Sequence, residues 1–205
     1  NYFPPITHPI LPPNEDSDTW VKTYLKEHHL TQFIIIHPGS GSNYKRWPIK
    51  KFLELIQLLL LKSNYSLVII GGPGEEKLLD YLRIPLKKER KIHFIFNWDL
   101  HKTFSLFKMG KLFIGNDSGL THLASAAGID FIALLGPTRN TIYHGQVLEG
   151  RILPRGGNII WNEQHWNTFF YDPFHENEHK YSHIEIEDIT VEQVEEEIKK
   201  YINLK

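Results

Sequence analysis

The chain contains no cysteine, a single methionine and no long apolar run. Without cysteine there can be no disulfide, no thiol nucleophile and no cysteine-ligated metal; a reducing compartment is then permitted, and the cytoplasm is the default expectation. The most apolar stretch, FLELIQLLLLK from Phe52, is interrupted by Glu54 and Gln57 and falls far short of the roughly 20 residues that a membrane-spanning helix needs. The opening shows no signal-peptide pattern. An excess of one charge is also lacking: the formal net charge is −1 and acids and bases are interleaved. With no basic face and no alternation of aromatics with Lys or Arg, nucleic acid is not an expected partner.

Apolar material is present in quantity. Of 205 residues, 41% are hydrophobic and 13% aromatic, enough for one domain with a real core. The first residues, NYFPPITHPILPPNEDSDTW, are proline-rich with little periodicity, as a linker or surface arm is. The chain starts on Asn1 rather than Met, and the expectation is the later part of a longer protein. Residues 1–30 read as an arm with one short helix, TWVKTYLKEHHL, capped by Asp18 or Ser17, and residues 31–205 as the folded domain.

From residue 33 a rhythm sets in. FIII (Phe33 to Ile36) leads into a Gly/Ser loop and then PIKKFLELIQLLLLK, which has helical spacing with Pro48 in the first turn. The unit repeats as SLVII, GGPGEE and EKLLDYL, then as IHFIF and DLHKTFSLFKMG, then as KLFIG, NDSG and a Leu/Ala-rich helix, and last as FIALLG and PTRN. Strands that are apolar throughout and alternate with helices predict an α/β fold, a Rossmann-like parallel sheet with helices on both faces. Ligands of such sheets bind beyond the carboxyl ends of the strands, near a reversal of strand order. The loops HPGSGSNYKRWP, GGPGEE, GNDSG and LLGPT all follow strands, and are expected on one rim.

Each loop carries chemistry and a plainer alternative. In HPGSGSNYKRWP, Gly39 and Gly41 admit close backbone approach, Ser40 and Ser42 supply hydroxyls, and Lys45 supplies a charge suited to phosphate oxygens. The same loop also reads as a flexible turn with an exposed Arg46, Trp47 and Pro48 serving to seat the next helix. It is neither a Walker loop nor a Gly-x-Gly-x-x-Gly fingerprint. In GGPGEE, Glu75 or Glu76 fits a ribose diol, or simply favours the dipole of the following helix. In GNDSGLTHLASAAG, Asp117 fits a helix cap or sugar hydroxyls. The amides of Ser118, Gly119 and Leu120 form the anion-accepting end of that helix. His122 lies one turn on, on the same face as Ser118, within reach of a phosphate or in a structural role.

The tail from Gly150 is aromatic and His-rich without a clear period, and is expected to wrap the surface. His175, His179 and His183 recur every fourth residue, but Pro173 and the uniformly polar ENEHKYS between them argue against a metal helix, and no metal site is expected. The chain ends on TVEQVEEEIKKYI, a helix with Val191, Val194, Ile198 and Ile202 on one face and Thr190 as cap.

Taken in order, HPGSGSNYKRWP, IIGGPGE, FIGNDSGLTHLASAAG and LLGPT resemble the C-terminal half of glycosyltransferase family 9, the lipopolysaccharide heptosyltransferases, over about Gln32 to Thr138. The resemblance implies half of a GT-B enzyme, whose two Rossmann-like domains face each other across a cleft, this half holding a nucleotide-sugar donor such as ADP-heptose. It places the donor diphosphate at Lys45 with Ser40, Ser42, Ser118, Gly119, Leu120 and His122, the ribose at Glu75, and the donor sugar near Asp117. It also implies inverting transfer to a lipopolysaccharide core acceptor, no metal or other cofactor, and a catalytic base on the N-terminal acceptor-binding domain, at the inner face of the bacterial inner membrane. Two other readings stand beside it: a non-catalytic nucleotide-sugar binding module, and a GT-B relative that uses a UDP- or GDP-sugar.

Overall fold

The computed structural model describes residues 11–134, 157–160 and 186–205. Six strands, β1 (Phe33–His37), β2 (Ser66–Gly71), β3 (Ile92–Phe96), β4 (Leu112–Asn116), β5 (Phe131–Leu134) and β6 (Gly157–Ile160), form one sheet in the order β3-β2-β1-β4-β5-β6. Every pairing is parallel, with Ile34 opposite Leu67 on one side and Leu112 on the other.

The alternation of side chains along each strand explains why the strands read as continuous apolar runs. Ile34 and Ile36 join Leu67, Ile69, Leu112 and Ile114 on one face; Phe33 and Ile35 join Val68, Ile70 and Phe113 on the other. The first face is covered by α2 (Ile49–Lys62), α3 (Glu76–Leu86) and α6 (Val191–Ile198), the second by α1 (Glu15–Glu27), α4 (Leu100–Met109) and α5 (Gly119–Ala127). With helices on both sides, neither face needs polar residues.

The helix faces follow from their sequences. Val191, Val194, Ile198 and Ile202 are all buried, and Thr190 and Gln193 exchange the two bonds of a capping box. At the end of α5, Gly128 takes a left-handed conformation with φ 75°, the position where a Cβ is penalised. Pro48 sits one residue before α2 rather than within its first turn. Helix α1 begins earlier than expected: Asn14, not Asp18 or Ser17, is its cap, its Oδ1 accepting from Ser17 N at 2.8 Å. Asp18 instead meets Ser105 and Lys108 of α4, and Val21 and Leu25 are buried. The part of the arm from residue 14 to 27 is thus packed on the core, because the apolar stripe of α1 lies beside α4 in the cluster on this face of the sheet.

Strand β6 is a further departure. The segment GNII lies in the tail read as aperiodic, yet it pairs with β5 from Gly157 opposite Phe131 to Ile160 opposite Leu134; four residues are too few to establish a period. The fourth expected loop after Leu134, and the histidines 175, 179 and 183, lie outside the described residues. Among the described residues, no helix is long and apolar enough to cross a membrane.

Candidate functional site

Strand order reverses between β1 and β4. From β1 the chain moves outward to β2 and β3; it returns through α4 to the far side of β1 and continues to β5 and β6. The loops after β1 and β4 therefore diverge and leave a crevice between them at the carboxyl edge.

Asn116, the last residue of β4, ties the two loops together. It is fully buried, its Oδ1 accepts from Trp47 N at 3.0 Å, and its Nδ2 donates to the carbonyls of Pro38 at 2.9 Å and Gly39 at 3.2 Å. Trp47 is buried in turn, donating from Nε1 to Ile189 O at 2.8 Å and packing edge-on against Phe52. Its role is to seat α2, as the sequence suggests. Arg46 is not a solvated turn residue: Nε and Nη2 both donate to Ser40 O, at 3.2 and 2.8 Å, and draw the loop into a ring. Within that ring Ser40 is buried and its hydroxyl donates to Ser42 O.

On this frame the charged groups converge. Lys45 Nζ lies 3.0 Å from Asp117 Oδ2, with the two side chains only 19% and 23% exposed. Asp117 does not cap α5. Ser118 occupies the cap position, with no side-chain cap bond, because the Asp117 carboxylate is turned across the crevice to Lys45. The first amides of α5 thus meet no carboxylate from its own cap, and at Gly119 a Cβ would find no heavy atom of the described residues within 4 Å. That end of the helix carries the partial positive charge of a helix N-terminus. His122 is exposed, one turn further along α5.

Glu75 precedes α3 and reaches across to β1. Its Oε2 accepts from Gly72 N at 2.8 Å and lies 3.0 Å from His37 Nε2, while its Oε1 rests over Gly39, where a Cβ would stand 1.7 Å away. Burial works to raise the Glu75 pKa, but the bond and charge from His37, the Gly72 amide and the charge of Arg46 outweigh it, so the carboxyl stays below its ordinary 4.5 and ionised. His37 also approaches Ser118 Oγ through Nδ1, at 3.3 Å. Lys45, Glu75, Asp117 and Ser118 are therefore brought to one crevice. What holds them there are His37 and Asn116, to which the sequence alone assigns no role, and Arg46, which it reads as exposed. A polar residue ending a buried strand at the carboxyl edge was the available signal for His37 and Asn116.

Residues 14–150 match the family model of glycosyltransferase family 9 (heptosyltransferase). The chain belongs to glycosyltransferase family 9. Among curated relatives, lipooligosaccharide heptosyltransferase 2 of Haemophilus influenzae is 27% identical over 142 residues, covering 65% of this chain and 41% of the relative. Lipopolysaccharide heptosyltransferase 1 of Campylobacter coli is 31% identical over 109 residues, covering 51% of this chain and 32% of the relative. The fold matches that of the E. coli ADP-heptose lps heptosyltransferase II, with a TM-score of 0.70 at 21% identity, over 94% of this chain and 53% of that one. It also matches the E. coli heptosyltransferase WaaC with ADP-2-deoxy-2-fluoro heptose, at a TM-score of 0.62 and 17% identity, over 89% of this chain and 48% of that one. The chain thus spans about a third to a half of the length of these family 9 relatives.

Proposed function

We propose that this domain binds the nucleotide-sugar donor of an inverting glycosyltransferase, ADP-heptose being the donor and a lipopolysaccharide core sugar the acceptor. The observation that carries the reading is the crevice at the reversal of strand order. There a cation, an ionised carboxylate and an open helix N-terminus stand together, each matched to one part of a nucleoside diphosphate sugar. The relatives add the class of reaction: the two curated relatives named above are heptosyltransferases, and one fold neighbour is described with an ADP-heptose analogue.

In this proposal Lys45, Ser42, Ser118 and the amides of Gly119 and Leu120 take the diphosphate, with His122 at its margin. Ser40 shapes the loop from within. Glu75 accepts from the ribose hydroxyls, and Asp117 faces the sugar and holds Lys45 toward the phosphates. An acceptor hydroxyl attacks the anomeric carbon from the face opposite the diphosphate; the new carbon–oxygen bond forms as the bond to the diphosphate breaks, with inversion. Lys45 and the helix amides stabilise the negative charge left on the departing ADP, so that the step requires no metal. The proton of the attacking hydroxyl goes to a base on the acceptor-binding domain, and residues 31–205, with α1 packed on them, form the donor-binding unit.

The test is calorimetric titration of this chain with ADP, UDP, GDP and an ADP-sugar, with and without magnesium. Metal-independent binding that favours ADP and its sugar is the expected result; preference for UDP or GDP would move the protein to another donor class, and binding to none would overturn the reading. A variant probes the ribose contact separately. Gly39→Ala places a Cβ where the Glu75 carboxylate lies, and the flexible carboxylate must swing out, leaving His37 and Gly72. The fold is expected to survive with a melting temperature lower by a few degrees, about 1 kcal/mol. ADP affinity is expected to fall roughly tenfold, as for Glu75→Ala, the worth of one charge-assisted hydrogen bond. Unchanged ADP affinity would remove Glu75 from the ligand site.

A further inference from the structure

Donor binding as described uses Glu75 and Ser118 but gives no role to the imidazole between them. His37 is 3% exposed and ends β1 at the reversal of strand order. Its Nε2 faces an acceptor without a proton of its own, the Glu75 carboxylate at 3.0 Å, and so carries a hydrogen in either charge state of the ring. Only Nδ1 changes. When the ring is neutral, bare Nδ1 accepts the hydroxyl hydrogen of Ser118, and Ser118 turns lone pairs toward the crevice. When the ring is protonated, Nδ1–H donates to Ser118 Oγ, and the hydroxyl hydrogen is directed elsewhere. Among the described residues the competing acceptor is Thr121 Oγ1, at the long limit of 3.5 Å and already donating its own hydrogen to Asn116 O. An anionic oxygen at the start of α5 is the better acceptor.

We propose that His37 is a positioning residue that couples proton uptake to diphosphate binding: the protonated imidazole turns the Ser118 hydroxyl into a donor toward the ligand, and the bound dianion favours the protonated ring. By linkage the two effects are equal in free energy. The groups around the ring set the balance. Among the described residues, Glu75, from the loop before α3, meets the ring with its carboxylate, and Ser118 of α5 meets it with its hydroxyl, Thr121 standing beside Ser118. Arg46, from the loop after β1, brings its charge near Glu75, and the Lys45–Asp117 ion pair lies on the same rim. This coupling rests on the donor reading of the crevice.

The experiment is calorimetric titration with ADP-glucose, whose phosphates carry no group that titrates near neutrality, in buffers of different ionisation enthalpy between about pH 6 and pH 8, where imidazoles change charge. ADP serves as a second probe, its own titration cancelling in the difference between wild type and variant, and adenosine as the control without phosphate. The wild-type chain is expected to take up protons on binding and to lose roughly tenfold in affinity from the acid to the alkaline end, the worth of one charge-assisted hydrogen bond. His37→Gln is expected to show a flat profile and no His37-dependent uptake, and adenosine no slope with either protein. His37→Asn, also uncharged at every pH, replaces His37→Gln if that variant does not fold. A merely structural His37 would lower affinity equally at all pH values. That result, or a pH slope that persists in the variant, overturns the coupling while leaving the donor reading intact. Failure of the wild type to bind either nucleotide at any pH overturns both.

Discussion

Replacing Asn116 by alanine is expected to destabilise the protein by about 3–4 kcal/mol, although the change removes little apolar surface. The side chain is fully buried and satisfies three backbone groups at once: the Trp47 amide and the carbonyls of Pro38 and Gly39. Each of these, left without a partner away from water, costs about 1–3 kcal/mol, and partial relaxation of the loop brings the sum down to the stated range. Asn116→Asp is expected to do no better. Its carboxylate still accepts from Trp47 N, but it cannot donate to the two carbonyls and sets a negative charge against them. Chemical denaturation measures the loss directly; in a thermal scan it corresponds to a fall of roughly 10 °C. A loss below about 1 kcal/mol would show that Trp47, anchored to Ile189 and Phe52, holds the loop by itself.

The contrast between Asn116 and its neighbours explains what the sequence made legible. Strands such as FIII and the helix TVEQVEEEIKKYI are readable because burial on both faces of a sheet leaves a continuous apolar run, and burial on one face of a helix a periodic one. The position of the crevice was readable as well, since it follows from the alternation of strands and helices and from the loops after them. Which way a polar side chain turns leaves no such trace. Asp117 reads equally well as a cap and as a ligand group, and only the approach of the loop after β1 brings Lys45 within 3.0 Å of it. Arg46 looks like a surface charge until the loop closes around its guanidinium, and His37 looks like the end of a strand until Glu75 arrives from 38 positions away in the chain. These are long-range encounters fixed by strand order, and local pattern contains no information about them. GNII was missed for a different reason: a four-residue edge strand is recognised by its pairing with β5, not by its own composition.

Lys45→Ala is expected to weaken binding of ADP and ADP-sugars by about 100-fold while changing adenosine affinity less than about twofold. Two effects add. The charge-assisted contact to the diphosphate disappears, a loss of about 1.5–3 kcal/mol. In addition Asp117, now without the ammonium at 3.0 Å, keeps its negative charge beside two phosphates and repels them more strongly. The second effect separates this site from one in which a lysine acts alone, and it is open to measurement. Adding Asp117→Asn to Lys45→Ala is expected to restore roughly tenfold in ADP affinity, so that the double variant binds ADP better than the single one. Stability is expected to change little, since partly exposed ion pairs contribute about 0–1 kcal/mol, and a normal melting temperature would show that the lost affinity belongs to the ligand contact and not to the fold. Equal loss for adenosine and for ADP would instead make Lys45 a shaping residue of the loop, acting through the backbone that Arg46 and Asn116 hold. Salt provides an independent discriminator: if Lys45 meets the diphosphate through charge, added salt should weaken ADP binding to the wild type and do so much less for the alanine variant, because the attraction being screened is the one the variant has already lost.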